Sequence, residues 1–192
     1  MLIRNKMLFL SIILAIIFGS VIWQFFIENY RINDVEIPAS QNITYNDQIP
    51  QNIDSKTLEK EFENNINKPI LLYLYTTWCQ VCNKNFVTFN EIAREFQNTD
   101  LKVFALAIDR NVENNLIQDY FKKLPKVYFL PQILENRNGF IEFLQSKKVN
   151  YNNRIPYTIL FARDGSVLAK YSGSKSKNYL RNKIVTELYD KN

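Results

Sequence analysis

Residues 68–82 read KPILLYLYTTWCQVC. Pro69 stops any helix that reaches it, because its ring removes a backbone donor and clashes with the preceding turn. Ile70 to Tyr75 then run without a polar break, the pattern of a strand buried on both faces and so of a sheet covered by helices. Directly after Trp78 come Cys79 and Cys82, which are the only 2 cysteines in the chain. Two cysteines placed at random over this length would fall three apart in roughly 1% of cases, so the pair asks for a chemical explanation.

Moving outward, Phe86, Phe89, Ala93 and Phe96 recur at helical spacing beyond Cys79. LKVFALAID (101–109) reads as a second buried strand and VENNLIQDYFKKL (112–124) as a helix covering it, giving a parallel βαβ unit. KVYFLPQIL (126–134) offers a short strand, and GFIEFLQSKK (139–148) a helix that starts after Gly139. In YTILFARDGSVLAKYS (157–172), two apolar runs flank Asp164 and Gly165, a hairpin signal. SKNYLRNKIVTELYD (176–190) closes the chain as an amphipathic helix with Tyr179, Leu180, Ile184, Leu188 and Tyr189 on one side. Before the decisive stretch, Ser55 is placed to cap a helix over KTLEKEFENNI (56–66). The sum is an α/β domain over residues 55–192 with a mixed sheet, parallel in its first half and antiparallel at its end.

The amino terminus has a different character. Arg4 and Lys6 precede an apolar run over residues 7–27. About 20 such residues in a helix match a hydrocarbon core of roughly 30 Å, so this segment reads as one transmembrane helix. The positive residues before it predict a cytoplasmic tail over 1–6 and an exported remainder, with membrane lipid as the partner of the helix. A cleaved signal would have a shorter apolar core and a small-residue cleavage site, which the sequence lacks. Residues 28–54, polar and holding Pro38 and Pro50, read as a linker with some extended structure near its end.

Composition limits the chemistry. The chain has 192 residues, 46% hydrophobic and 22% charged, with a net charge of +5 from scattered basic residues, so a folded domain is expected and a nucleic-acid partner is not. Histidine is absent, which removes His-activated nucleophiles, His-ligated haem and the usual zinc sites. No metal is expected, because the 2 cysteines have no further soft ligands to join. A structural disulfide across so short a loop would restrain the unfolded chain little. Reduced cysteines used as apolar filler suit an oxidising compartment poorly. Redox exchange is the reading these considerations favour. Cys79, at the start of a helix, sits where unpaired N–H groups and the helix dipole favour a thiolate, so it is the expected nucleophile. Cys82, one turn further in, is the expected resolving thiol.

WCQVC, preceded by KPILLYLYTT and followed far downstream by RIPYTILFARDGSVLAKYSG, resembles the thioredoxin superfamily over roughly residues 55–190. Within it the chain is similar to the membrane-anchored TlpA, ResA and DsbE branch, and most of all to ScsD-like protein-disulfide oxidoreductases. The resemblance implies a thioredoxin fold with a TlpA-type central insertion over 110–153. It also implies a substrate groove formed by Trp78, Ile155 and Pro156, the last as a cis-proline, with Gly173 near it. The implied activity is dithiol–disulfide exchange with proteins that carry cysteine pairs, without a dissociable cofactor, as a reductant fed by a membrane thiol donor. A single-pass protein of the bacterial inner membrane with a periplasmic domain is the implied setting. Two alternatives stand beside this reading, namely a reductant dedicated to apocytochrome c and a peptide-binding module without turnover. The chain departs from the pattern where Gln80 and Val81 separate the cysteines. It departs again where Tyr73 and Asn85 replace the carboxylates that relatives use as proton acceptors. Water, or a carboxylate that the sequence does not single out, is the expected substitute.

Overall fold

Every residue of the central strand β2 (Ile70–Tyr75) is buried, as an apolar run between two layers of helices requires. The computed structural model describes residues 17–24, 51–109 and 127–190. The elements around β2 are β1 (Gln51–Ile53), α1 (Ser55–Asn64), α2 (Gln80–Glu95), β3 (Lys102–Ala107), β4 (Leu130–Leu134), α3 (Arg137–Ser146), β5 (Tyr157–Phe161), β6 (Val167–Ser172) and α4 (Lys177–Leu188). They build a mixed sheet in the order β1-β4-β3-β2-β5-β6. The β1–β4, β4–β3 and β3–β2 pairs are parallel. The β2–β5 and β5–β6 pairs are antiparallel.

Alternation along β2 sorts the core into two layers. Ile70, Leu72 and Leu74 join the cluster beneath α1 and α3, where Phe62 meets the edges of Phe143 and Phe161 with ring centroids 5.0 Å apart in each case. On the opposite face Tyr73 stacks on Phe89 of α2 at 4.1 Å, and Phe86 packs edge-on against Tyr75 at 5.5 Å and against Phe129 at 4.8 Å. Such aromatic pairs stabilise beyond the area they bury, by about 0.5–1.5 kcal/mol each.

Several local expectations shift by a residue or more. The α1 cap is Asp54, whose carboxylate accepts from the Thr57 amide at 2.7 Å, and Ser55 is already helical. Helix α3 is capped by Asn136, and Gly139 lies inside it instead of starting it. That glycine serves packing, because a Cβ there would lie 2.9 Å from the Ser55 Cβ on α1. In α4 the buried residues are Leu180, Ile184 and Val185, whereas Tyr179 is 44% exposed. A three-residue strand, β1, occupies the end of the stretch read as a linker and continues the parallel sheet outward. The hairpin turns at Gly165, whose φ of 78° is the left-handed conformation that glycine adopts without a side-chain clash. The helix read over 112–124 lies outside the described residues.

The chain divides into two compact units, one over Met1–Glu36 with Asn192 and the other over Ile37–Lys191. In the first, residues 17–24 are helical. Among the described residues no helix is long and apolar enough to cross a membrane, and most of the 7–27 segment lies outside them.

Tyr151 gives this fold an alkaline limit. Its hydroxyl is buried without a hydrogen-bond partner among the described residues, and burial pushes its pKa from 10.0 up to about 12. The neutral form is therefore favoured in the folded state, so this contribution is intact below the unfolded value of 10.0 and is lost as pH climbs towards about 12. Tyr151→Phe is expected to leave the urea midpoint at pH 8 within experimental scatter and to flatten the fall in midpoint between about pH 10 and 12.

Candidate active site

Strand β2 pairs with β3 through Tyr75↔Ala107 and with β5 through Leu74↔Tyr157. The chain that leaves β2 must then find other partners for its backbone groups. It does so in a tight turn, with the Cys79 amide donating to the Thr76 carbonyl at 3.2 Å. Thr77 is held from two sides. Its amide donates to both carboxylate oxygens of Asp109 at 3.0 and 3.1 Å, and its hydroxyl donates to one of them at 2.7 Å. Its carbonyl accepts from the Asn83 amide group at 3.2 Å.

Cys79 is the N-cap of α2. Its backbone is extended, and its sulfur accepts from the Cys82 amide at 3.1 Å. A sulfur in this place lies at the positive end of the helix dipole, and no acidic residue stands in the first turn of α2 to oppose it. Cys82 is fully buried and forms a disulfide with Cys79 across a Cα–Cα distance of 5.1 Å. Trp78, beside the disulfide, is 70% exposed. Asymmetric access of this kind lets one sulfur meet a partner while the other stays sheltered.

Pro156 immediately precedes β5, so the β2–β5 register sets it at the same end of the sheet as the motif turn. The Ile155–Pro156 peptide bond is cis. Pro156 is buried and Ile155 is half-buried against the core. The Pro156 carbonyl accepts from the Gly173 amide at 2.8 Å. Just beyond, the Ser174 hydroxyl and the Lys175 amide donate to Asn85 Oδ1 at 2.7 and 3.1 Å. The cis-proline loop, the β6–α4 connection and α2 are thereby linked in one chain of hydrogen bonds.

Two positions that the sequence marked by a missing carboxylate carry polar groups of other kinds. Tyr73, fully buried, donates its hydroxyl to the Cys82 carbonyl at 2.9 Å. Asn85, 2% exposed, makes the contacts just described. Sequence reading missed Asp109 and Thr77 altogether. The available signal was a charged residue that ends an apolar strand, since Asp109 closes LKVFALAID.

Residues 40–186 match the model of the AhpC/TSA family. The chain is 23% identical over 180 residues to the thiol-disulfide oxidoreductase ResA of Bacillus thuringiensis subsp. konkukian, covering 92% of this chain and 94% of that protein. It is 24% identical over 182 residues to ResA of Bacillus anthracis, again over 92% and 94%. Among solved structures, a putative thiol:disulfide interchange protein DsbE from Chlorobium tepidum superposes with a TM-score of 0.55 at 16% identity, over 79% of this chain and 99% of that one. A thioredoxin family protein from Chlorobium tepidum TLS superposes with a TM-score of 0.56 at 12% identity, over 79% and 98%. These likenesses agree with the order of strands and helices around the cysteine pair. The chain has a thioredoxin-like fold and belongs to the AhpC/TSA family, as a thiol-disulfide oxidoreductase similar to ResA.

Proposed function

We propose that this oxidoreductase is tethered to a membrane and works on the exported side as a reductant of protein disulfides. The observation that carries the reading is that Cys79 caps α2, one turn before a buried Cys82 and at the same end of the sheet as the cis-proline loop. In the reduced form the Cys79 thiolate attacks one sulfur of a substrate disulfide, and the other substrate sulfur leaves as a thiolate that takes a proton from water. Cys82 then attacks Cys79, the Cys79–substrate bond breaks, and the substrate departs with two electrons as a dithiol. The protein is left as the Cys79–Cys82 disulfide, to be reduced again by a membrane dithiol donor. Trp78, Ile155 and Pro156 form the groove for the substrate strand, whose backbone pairs beside the disulfide.

Tethering is supported by the apolar run over 7–27 behind Arg4 and Lys6. Ile17, Phe18, Val21, Ile22 and Trp23 on its helical part are all more than half exposed, at 52%, 69%, 59%, 53% and 69%. Apolar exposure on that scale calls for a non-aqueous neighbour. The reading accordingly has residues 1–6 cytoplasmic, 28–54 as the linker and 55–192 as the catalytic domain in the periplasm of a bacterial cell.

The full-length chain in detergent, equilibrated in graded glutathione buffers, is expected to show a midpoint near the roughly −270 mV of thioredoxin. A midpoint near the roughly −120 mV of DsbA would make it an oxidant instead. Cys79→Ser should abolish exchange with a protein disulfide, and Cys82→Ser should accumulate a mixed disulfide visible on a non-reducing gel. Cell fractionation gives a separate check, with the chain staying in the membrane pellet through an alkaline carbonate wash. Recovery in the soluble fraction would overturn tethering. Asp109→Ala removes the three bonds to Thr77, and it should lower stability by about 1–3 kcal/mol in urea titrations and slow exchange with the same protein disulfide.

A further inference from the structure

Asn85 lies one turn beyond Cys82, and both are on the buried face of α2. Spacing of three along a helix brings two side chains to the same side. The orientation of the Asn85 amide is settled by its partners. The Lys175 backbone N–H can only donate, so the atom it meets at 3.1 Å must be Oδ1, which the Ser174 hydroxyl also reaches at 2.7 Å. The amino group Nδ2 therefore faces away from that loop, and it is buried with no hydrogen-bond partner among the described residues in the disulfide form. A buried donor left unmatched is costly, and native folds keep few of them. Two other polar groups near the motif donate elsewhere. The Tyr73 hydroxyl donates to the Cys82 carbonyl, and the amino group of Asn83 donates to the Thr77 carbonyl.

The group that changes state on the same buried face of α2 is the sulfur of Cys82, one turn before Asn85. In the disulfide it is neutral, and Nδ2 does not bond to it. Once the disulfide opens it becomes the buried thiolate that must attack, and a sheltered sulfur anion needs a donor. We infer that Asn85 Nδ2 donates to the Cys82 thiolate during resolution, so that Asn85 is a catalytic residue of the second half-reaction. The inference rests on the dithiol exchange proposed above. The step itself is balanced. Cys82 loses its proton to water, its sulfur bonds to Cys79 Sγ, the bond from Cys79 to the substrate sulfur breaks, and that sulfur leaves with the electron pair. The amide supplies no proton and takes none, which distinguishes it from a carboxylate base. The bonds of Oδ1 to Ser174 and Lys175 hold it in place.

The test uses the full-length reduced chain in detergent, mixed in a stopped-flow instrument with dithiobis(nitrobenzoate). Attack by Cys79 releases a first nitrothiobenzoate, and attack by Cys82 on the resulting mixed disulfide releases a second. Asn85→Asp keeps the acceptor for Ser174 and Lys175 but replaces the donor with a negative oxygen. Asn85→Leu keeps the approximate volume and removes the donor. Both should slow the second phase by about tenfold or more, the usual range for a hydrogen bond to a charged group, and leave the first within about twofold. Ser174→Ala, which loses one of the two contacts to Oδ1 and keeps the donor, should slow the second phase less than either Asn85 variant. Parent-like second phases in both Asn85 variants would overturn the inference, as would an equal slowing by Ser174→Ala, which would mean that Asn85 acts only through the loop. Should Cys79→Ser leave the first phase intact, the assignment of the nucleophile falls, and the role of Asn85 falls with it.

Discussion

The ladder of β2 is the constraint on which the remaining structure depends. Its residues pair with β3 from Ile70↔Lys102 to Tyr75↔Ala107, and with β5 from Ile70↔Phe161 to Leu74↔Tyr157. A strand paired on both edges and covered on both faces leaves no backbone group for water until it ends. Where it ends, the next donors must be met within a few residues. The Thr77 amide is met by Asp109, the Cys79 amide by the Thr76 carbonyl, and the Cys82 amide by the Cys79 sulfur. The position of the Cys79 sulfur at a helix N-terminus is thus a consequence of closing off a buried strand. It also explains why the site lies at the carboxyl end of the sheet, where open α/β folds place their ligands.

What could be read from residues alone was what depends on short spacing. The unbroken run of β2, the helical recurrence of Phe86, Phe89, Ala93 and Phe96, and the turn at Asp164 and Gly165 all express local periodicity or turn chemistry, and each element is present. Boundaries were less legible. Asp54 and Ser55 are both good caps, and one-residue choices between adjacent cap formers turn on backbone geometry that composition does not reveal. Strand β1 has three residues, too few for a period, and its pairing partner lies about eighty positions downstream, at Gln132 to Leu134.

The site divides in the same way. Trp78, Cys79 and Cys82 announce themselves through rarity and adjacency. The polar scaffold that holds them does not, because its contacts span the chain. Thr77 and Asp109 are 32 residues apart, and Asn85 and Ser174 are 89 apart. No spacing rule connects such pairs. Tyr73 and Asn85 show a second limit. Comparison with a family pattern presented them as absences of a carboxylate, whereas the fold uses one as a hydroxyl donor and the other's amide oxygen as the acceptor that ties α2 to the β6–α4 connection.

The balance of donors and acceptors around the cysteines then has a direction. Among the described residues the carboxylate bonded to the motif turn is that of Asp109, which is engaged by three bonds to Thr77. The Cys82 amide donates to the Cys79 sulfur, the Tyr73 hydroxyl donates to the Cys82 carbonyl, and the Asn85 amide is buried one turn beyond Cys82. Such surroundings favour negative charge on sulfur without offering a base. An unmatched buried donor costs about 1–3 kcal/mol, a large share of the 5–15 kcal/mol by which domains are stable. The aromatic layer directly behind the motif offsets it, with Tyr73 stacked on Phe89 at 4.1 Å and on Tyr75 at 5.6 Å. The same residue, Tyr73, therefore fixes the core with its ring and the active-site helix with its hydroxyl. Packing and chemistry here are two faces of one side chain, and a substitution that spares the ring separates them.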